Sequence, residues 1–232
     1  MRRGTRIVLW RHGRTAWNLE GRLQGQRDVP LDATGHDQAR VAAGSLVRLG
    51  PTALVSSDLR RAVDTAAALG ALTGLSVTRD PGLRERHCGA WEGLTRSEIA
   101  AAFPGSSEPL PSPAGQRPPG GESLAESAAR AHQALAGHLA VLGPGAVLVV
   151  ATHGGVGRAL AGLLVGFPPV HWTALGGIRN GCWSVLAETE GGWRLDAHNV
   201  DPALPAGRPV AGREARARHD RGGDFVAADP SR

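Results

Sequence analysis

Apolar residues in this chain fall into blocks whose period changes from one block to the next. Ile7-Val8-Leu9-Trp10 is a continuous apolar run of strand length. Residues 53–55 and 75–78 make two more short runs, and residues 146–151 are the most strand-like stretch of all. Between them the spacing turns helical. Ala39, Val41, Ala42, Leu46 and Leu49 predict a helix that Gly50-Pro51 ends. Further helices are predicted over about 59–73, 95–102, 122–142 and 156–165. Residues 182–187 and 193–198 alternate around Gly191-Gly192, the pattern of a hairpin at a sheet edge. Strand alternating with helix predicts an α/β protein with a mostly parallel sheet.

The stretches between blocks carry their own signals. Residues 15–30 read as a loop rich in Gly, Arg and Gln, and Ser56-Ser57-Asp58 as a strand end and helix cap. Residues 103–121 are rich in Pro, Gly and Ser without apolar period, which predicts a mobile insertion over or beside the site. One domain is expected over 1–200, with a disordered tail over 201–232.

Composition narrows the chemistry more than the fold. All 26 basic residues are arginine, so Schiff-base and P-loop lysine chemistry are absent; with no tyrosine, so is a phenol acid. A net charge of +5 brings nucleic acid to mind, yet the arginines are dispersed among acids and no aromatic stacking surface accompanies them. No nucleic-acid partner is expected. Cys88 and Cys182 stand far apart in no metal-binding spacing, which suits a reduced, cytoplasmic setting. No stretch is long and apolar enough to span a bilayer.

Candidate chemistry gathers where strands end. Arg11-His12-Gly13 follows the first apolar run, and His153-Gly154-Gly155 follows that of 146–151. A strand tip of an open α/β sheet is where ligands bind. Arginine there offers a planar fork for oxyanions, and histidine a base or nucleophile near neutral pH. A helix beginning after His153 aims backbone N–H groups at the same rim, which favours an anion. Arg60 and Arg61 open another helix, where cations are unfavourable unless an anion sits above. Glu85 and Glu92 are both candidate proton donors, and pattern alone does not choose between them. Asn18, Arg22 and Gln24 are the polar groups of the 15–30 loop within reach of a ligand.

These residues resemble the histidine phosphatase, or phosphoglycerate mutase-like, superfamily over about residues 5–199. The resemblance rests on Arg11-His12-Gly13-Arg14-Thr15, Asn18, Gln24-Gly25, Ser57-Asp58, Arg61-Ala62, Thr65-Ala66, Leu83-Arg84-Glu85, Gly89 to Gly93 and His153-Gly154. It implies a three-layer α/β/α sandwich and a metal-independent phosphomonoesterase without a cofactor. His12 would form a phosphohistidine, and Glu85 would serve as acid and then base, with Glu92 a structural partner. Arg11, Arg61 and His153, with the backbone at Gly154, would hold the phosphoryl group; Asn18 and Gln24 would contact phosphate or substrate.

Mutases of that family usually carry a tyrosine three residues after the glutamate and a lysine further on. Here Cys88 and Arg96 stand in those regions, which favours hydrolysis. A narrower resemblance, to actinobacterial glucosyl-3-phosphoglycerate phosphatases, is carried by residues 57–62, 171–177, Asn180, Trp183 and 193–196. The expected partner is a small phosphate ester, with no membrane; a homodimer stays open beside a monomer. The rivals are a phosphoglycerate mutase, which passes phosphate to a second hydroxyl, and a binding module without turnover.

Overall fold

A computed structural model describes residues 4–105 and 115–202. Its strands are β1 (Arg6–Arg11), β2 (Ala53–Ser56), β3 (Val77–Arg79), β4 (Val147–Thr152), β5 (Trp183–Thr189) and β6 (Gly192–Val200). They form one sheet in the order β3-β2-β4-β1-β5-β6. The first four are parallel, β5 runs antiparallel to β1, and β6 is antiparallel to β5. The expected hairpin is therefore the sheet's edge.

Helices cover both faces, because the central strands are apolar on both. Ile7 and Leu9 of β1, with Leu148 and Val150 of β4, pack on one side against α5 (Leu124–Leu139) and α6 (Gly154–Leu164) through Ala131, Leu135, Val156 and Leu160. Val8 and Trp10, with Val147, Val149 and Ala151, face the other way. They meet Ala42, Ala43 and Leu46 of α2 (Ala33–Leu46) and Ala66 and Leu69 of α3 (Arg60–Thr73). Two shorter helices, α1 (Ala16–Glu20) and α4 (Arg96–Ala102), lie near the C-terminal rim. This is the expected α/β/α sandwich.

Departures from the expected elements are local. α1 lies inside the stretch read as loop; its capping box pairs Thr15 with Asn18, where the usual signature has Glu or Gln. Ser123 caps α5 with Glu126, so that helix starts two residues later than expected. β3 lies at 77–79, not 75–78. α3 takes no side-chain cap from 56–58: its N-cap is Leu59, and Asp28 accepts the Arg60 N–H at 2.7 Å from across the fold. Asp58 is drawn instead into a bidentate pair with Arg84, at 2.7 and 2.5 Å. Residues 106–114 of the expected mobile insertion, and the expected tail beyond 202, lie outside the described residues.

Candidate active site

Register brings the two histidines together. β1 and β4 pair with Arg11 opposite Thr152, so His12 and His153 leave adjacent strand ends, their rings 5.2 Å apart at 60°. Ser57, just past β2, is the third group on this rim, since Ser56 pairs with Ala151.

His12 is 3% exposed, and its Nδ1 lies 2.7 Å from the Gly13 carbonyl. A carbonyl only accepts, so Nδ1 carries the proton and Nε2 is left with its lone pair. Burial, then the charges of Arg61 and Arg11, hold the ring well below its ordinary pKa, so it is neutral at pH 7. Gly13 is required here: a side-chain carbon would stand 2.2 Å from the Gly35 carbonyl.

Arg61 is fully buried although charged, and its donors are spoken for one by one. Nη2 donates to the Gly25 carbonyl at 2.8 Å, Nη1 to the Arg27 carbonyl at 2.7 Å, and Nε to His153 Nδ1 at 3.2 Å. One N–H remains on each terminal nitrogen. Burial lowers its pKa to about 10, still cationic at neutral pH. Arg60, its neighbour, is exposed. His153, accepting at Nδ1, must carry its proton on Nε2, which meets Ser57 Oγ at 2.9 Å. Arg11 donates from Nη1 to the Ile178 carbonyl at 2.8 Å. Its guanidinium lies against Gly154, where an added Cβ would come within 3.1 Å of it.

The first turn of α6 holds the carboxyl group of Glu85. Oε2 accepts the Gly155 N–H at 2.8 Å; Oε1 accepts those of Val156 and Arg86 at 2.9 Å each. Glu92 is structural glue between loops: it accepts from the backbone of Gln26 and Cys88 and pairs with Arg27 at 3.3 Å. Asn18 Oδ1 accepts from Thr15 and Asn180, and among the described residues its amide N–H groups have no partner. Asn180 also donates to the carbonyls of His12 and Gly13, a supporting role that the hydrophobic pattern gave no hint of.

Arg11, His12, Asn18, Gln24, Arg61 and Glu85 all line one cleft of about 760 Å³; His153 is buried beside them, bonded to Arg61 and with its ring 5.2 Å from that of His12. Arg22 lines it too, paired with Glu20 and Glu98. Among the described residues, four buried side-chain polar atoms have no hydrogen-bond partner: Arg11 Nε, Gln24 Oε1, Trp91 Nε1 and Arg158 Nε. Every one belongs to a residue of this cleft. A buried group left unpaired costs about 1–3 kcal/mol, and the unmet hydrogen bonds fall on residues of this wall. Trp91 and Arg158 were not legible as site residues, one lying in a turn and the other in an apolar helix.

The model of the histidine phosphatase superfamily (branch 1) matches residues 7–201. The chain belongs to that superfamily. Within it, the chain is 41% identical over 213 residues to glucosyl-3-phosphoglycerate phosphatase of Mycobacterium tuberculosis, covering 85% of this chain and 96% of the relative. The metal-independent phosphoserine phosphatase of Arabidopsis thaliana is 40% identical over 168 residues, covering 67% of each. Among solved structures, a mycobacterial glucosyl-3-phosphoglycerate phosphatase in complex with VO3 superposes with a TM-score of 0.79 at 42% identity, covering 86% of this chain and 99% of that one. Membership makes this histidine phosphatase a phosphomonoesterase with a phosphoglycerate mutase-like fold. No helix among its described residues is long and apolar enough to cross a membrane.

Proposed function

We propose that the protein hydrolyses glucosyl-3-phosphoglycerate through a phosphohistidine on His12. The observation that carries the reaction is the state of His12: neutral, buried between two arginines, with Nδ1 tied to a carbonyl and Nε2 bare. Likeness to phosphatases named for that substrate carries its identity.

In the first step Nε2 attacks phosphorus and the bond to the ester oxygen breaks. Glu85, in its protonated form, gives its proton to the leaving alkoxide. In the second step Glu85 takes a proton from water, whose oxygen attacks phosphorus; the bond to Nε2 breaks and inorganic phosphate leaves. Arg11 and Arg61 meet the charge on the phosphoryl oxygens with the donors they have left. His153 holds Arg61 in place and shares its Nε2–H with the phosphoryl group, joined by the backbone at Gly154. Asn18 donates its free amide N–H groups to the phosphate, and Gln24, whose unpaired Oε1 only accepts, meets a hydroxyl of the substrate. Two arginines supply the positive charge, so the proposed chemistry requires no metal. Cys88, buried with its thiol pushed up to about 11, stays neutral and offers a phosphoglycerate none of the grip of a mutase tyrosine. Two buried free thiols support a reduced, cytoplasmic setting.

Phosphate release in the presence of a chelator tests this, with glucosyl-3-phosphoglycerate, 3-phosphoglycerate and an aryl phosphate as substrates. Strong preference for the glucosylated ester is expected. Conversion of 3- to 2-phosphoglycerate without release would make it a mutase.

A further inference from the structure

The phosphoryl group accounts for Arg11 and Arg61 but not for three further arginines of the cleft, Arg86, Arg96 and Arg158. Of these, Arg86 donates from Nη1 to the Gln116 carbonyl at 3.3 Å. Arg158 projects from α6 one turn beyond the N–H groups that hold Glu85, and Arg86 directly follows Glu85 in the chain. Glu85 is the group proposed to face the leaving oxygen. What clusters around it and does not hold the phosphoryl group therefore faces the leaving group.

Arg158 is the informative one. It makes no ion pair among the described residues, and its buried Nε has no hydrogen-bond partner. Burial is the largest influence on its pKa and lowers it, and the charges of Arg86 and Arg96 push the same way. Among the described residues only Glu85 opposes them, and its oxygens already accept three backbone N–H groups. A half-buried guanidinium facing two like charges is costly unless a bound anion completes it. Guanidinium groups only donate, and their planar fork matches a carboxylate.

We infer that Arg158, backed by the charges of Arg86 and Arg96, binds the carboxylate of the leaving group and makes the enzyme selective for phosphate monoesters of hydroxycarboxylic acids. This rests on the phosphomonoesterase reading above and adds a specificity-determining residue to it.

3-Phosphoglycerate and glycerol 3-phosphate form the matched pair for a test, since they differ only in carboxylate against hydroxymethyl. Binding of each is measured by calorimetry in His12→Ala protein, where no turnover interferes, with and without Arg158→Gln. Phosphate release is measured on the enzyme with His12 intact. The carboxylated ester is expected to bind roughly tenfold to a hundredfold more tightly. Arg158→Gln should collapse that ratio towards one, and Arg158→Lys, which keeps the charge but not the fork, should restore part of it. KM for 3-phosphoglycerate should rise more than kcat falls. Equal binding of the two esters, or a ratio untouched by Arg158→Gln in a protein with an unaltered melting curve, overturns the inference. The two readings fail separately. Phosphate release with equal affinities keeps the phosphatase and removes the subsite; a carboxylate preference lost with Arg158→Gln, without phosphate release, keeps the subsite and removes the phosphatase.

Discussion

His12 owes its proposed role to two contacts that differ in kind. The Gly13 carbonyl fixes which ring nitrogen bears the proton, and burial beside Arg61 and Arg11 keeps the other one bare. His12→Ala should abolish phosphate release while leaving the melting curve of a folded protein; retained turnover would remove the phosphohistidine. Glu85→Gln tests the acid. Esters with poor leaving groups should slow by about 10²–10⁴-fold and an aryl phosphate much less, because only an alkoxide needs the proton. Equal slowing would speak against Glu85. At this scale much of the candidate site was legible: a histidine at a strand tip with an arginine before it has a chemical reason to be there. Glu85 and Glu92 were not separable by pattern, since what divides them is partnership. One sits on the first turn of α6 in the cleft, and the other ties two loops together. Arg158 and Asn180 matter through neighbours distant in sequence, which spacing does not report.

Between elements, the decisive fact is the parallel pairing of β1 with β4. It turns the separation of 141 positions from His12 to His153 into adjacent strand ends. The apolar runs predicted those strands, and the histidines after them suggested the shared rim. Capping was harder to read. The cap expected of residues 56–58 is absent: Asp58 pairs with Arg84, and Asp28, to which the pattern gave no role, accepts the Arg60 N–H. Close approach at two glycines gives a contrast. A Cβ at Gly155 would meet Glu85 Oε1 at 2.7 Å, the tip of a side chain that can turn aside. Gly155→Ala should therefore lower kcat by about tenfold or more with about 1 kcal/mol or less of stability lost. A Cβ at Gly13 would meet the Gly35 carbonyl, which is backbone and cannot turn aside. Gly13→Ala should cost about 1–3 kcal/mol in denaturant unfolding, alongside activity. The reverse ranking of the two in stability would show that the packing has been misread.

For the molecule as a whole, two buried neutral histidines couple the site to global stability. His12 and His153 are both held well below the ordinary value of 6.5. When the chain unfolds below that pH they bind protons that the folded state refuses. Above pH 6.5 neither state is charged and the effect vanishes; below it, stability falls as pH falls. Each histidine should contribute a slope of about 1.4 kcal/mol per pH unit once the pH is well under 6.5. Unfolding measured from pH 7.5 to 5 should show this loss, and His12→Gln should roughly halve its slope if these two dominate. A flat profile would mean that the rings are charged in the folded protein. The same depression should keep His12 nucleophilic below pH 6.5, so a fall in activity there would come from another group.

The most direct measurement is to quench turnover of glucosyl-3-phosphoglycerate carrying a radiolabelled phosphate and to look for label on the protein. The expected result is a phosphoenzyme stable in alkali and labile in acid, mapped to His12 and absent from His12→Ala. Steady phosphate release without protein-bound label, or label that survives in His12→Ala, would contradict the account.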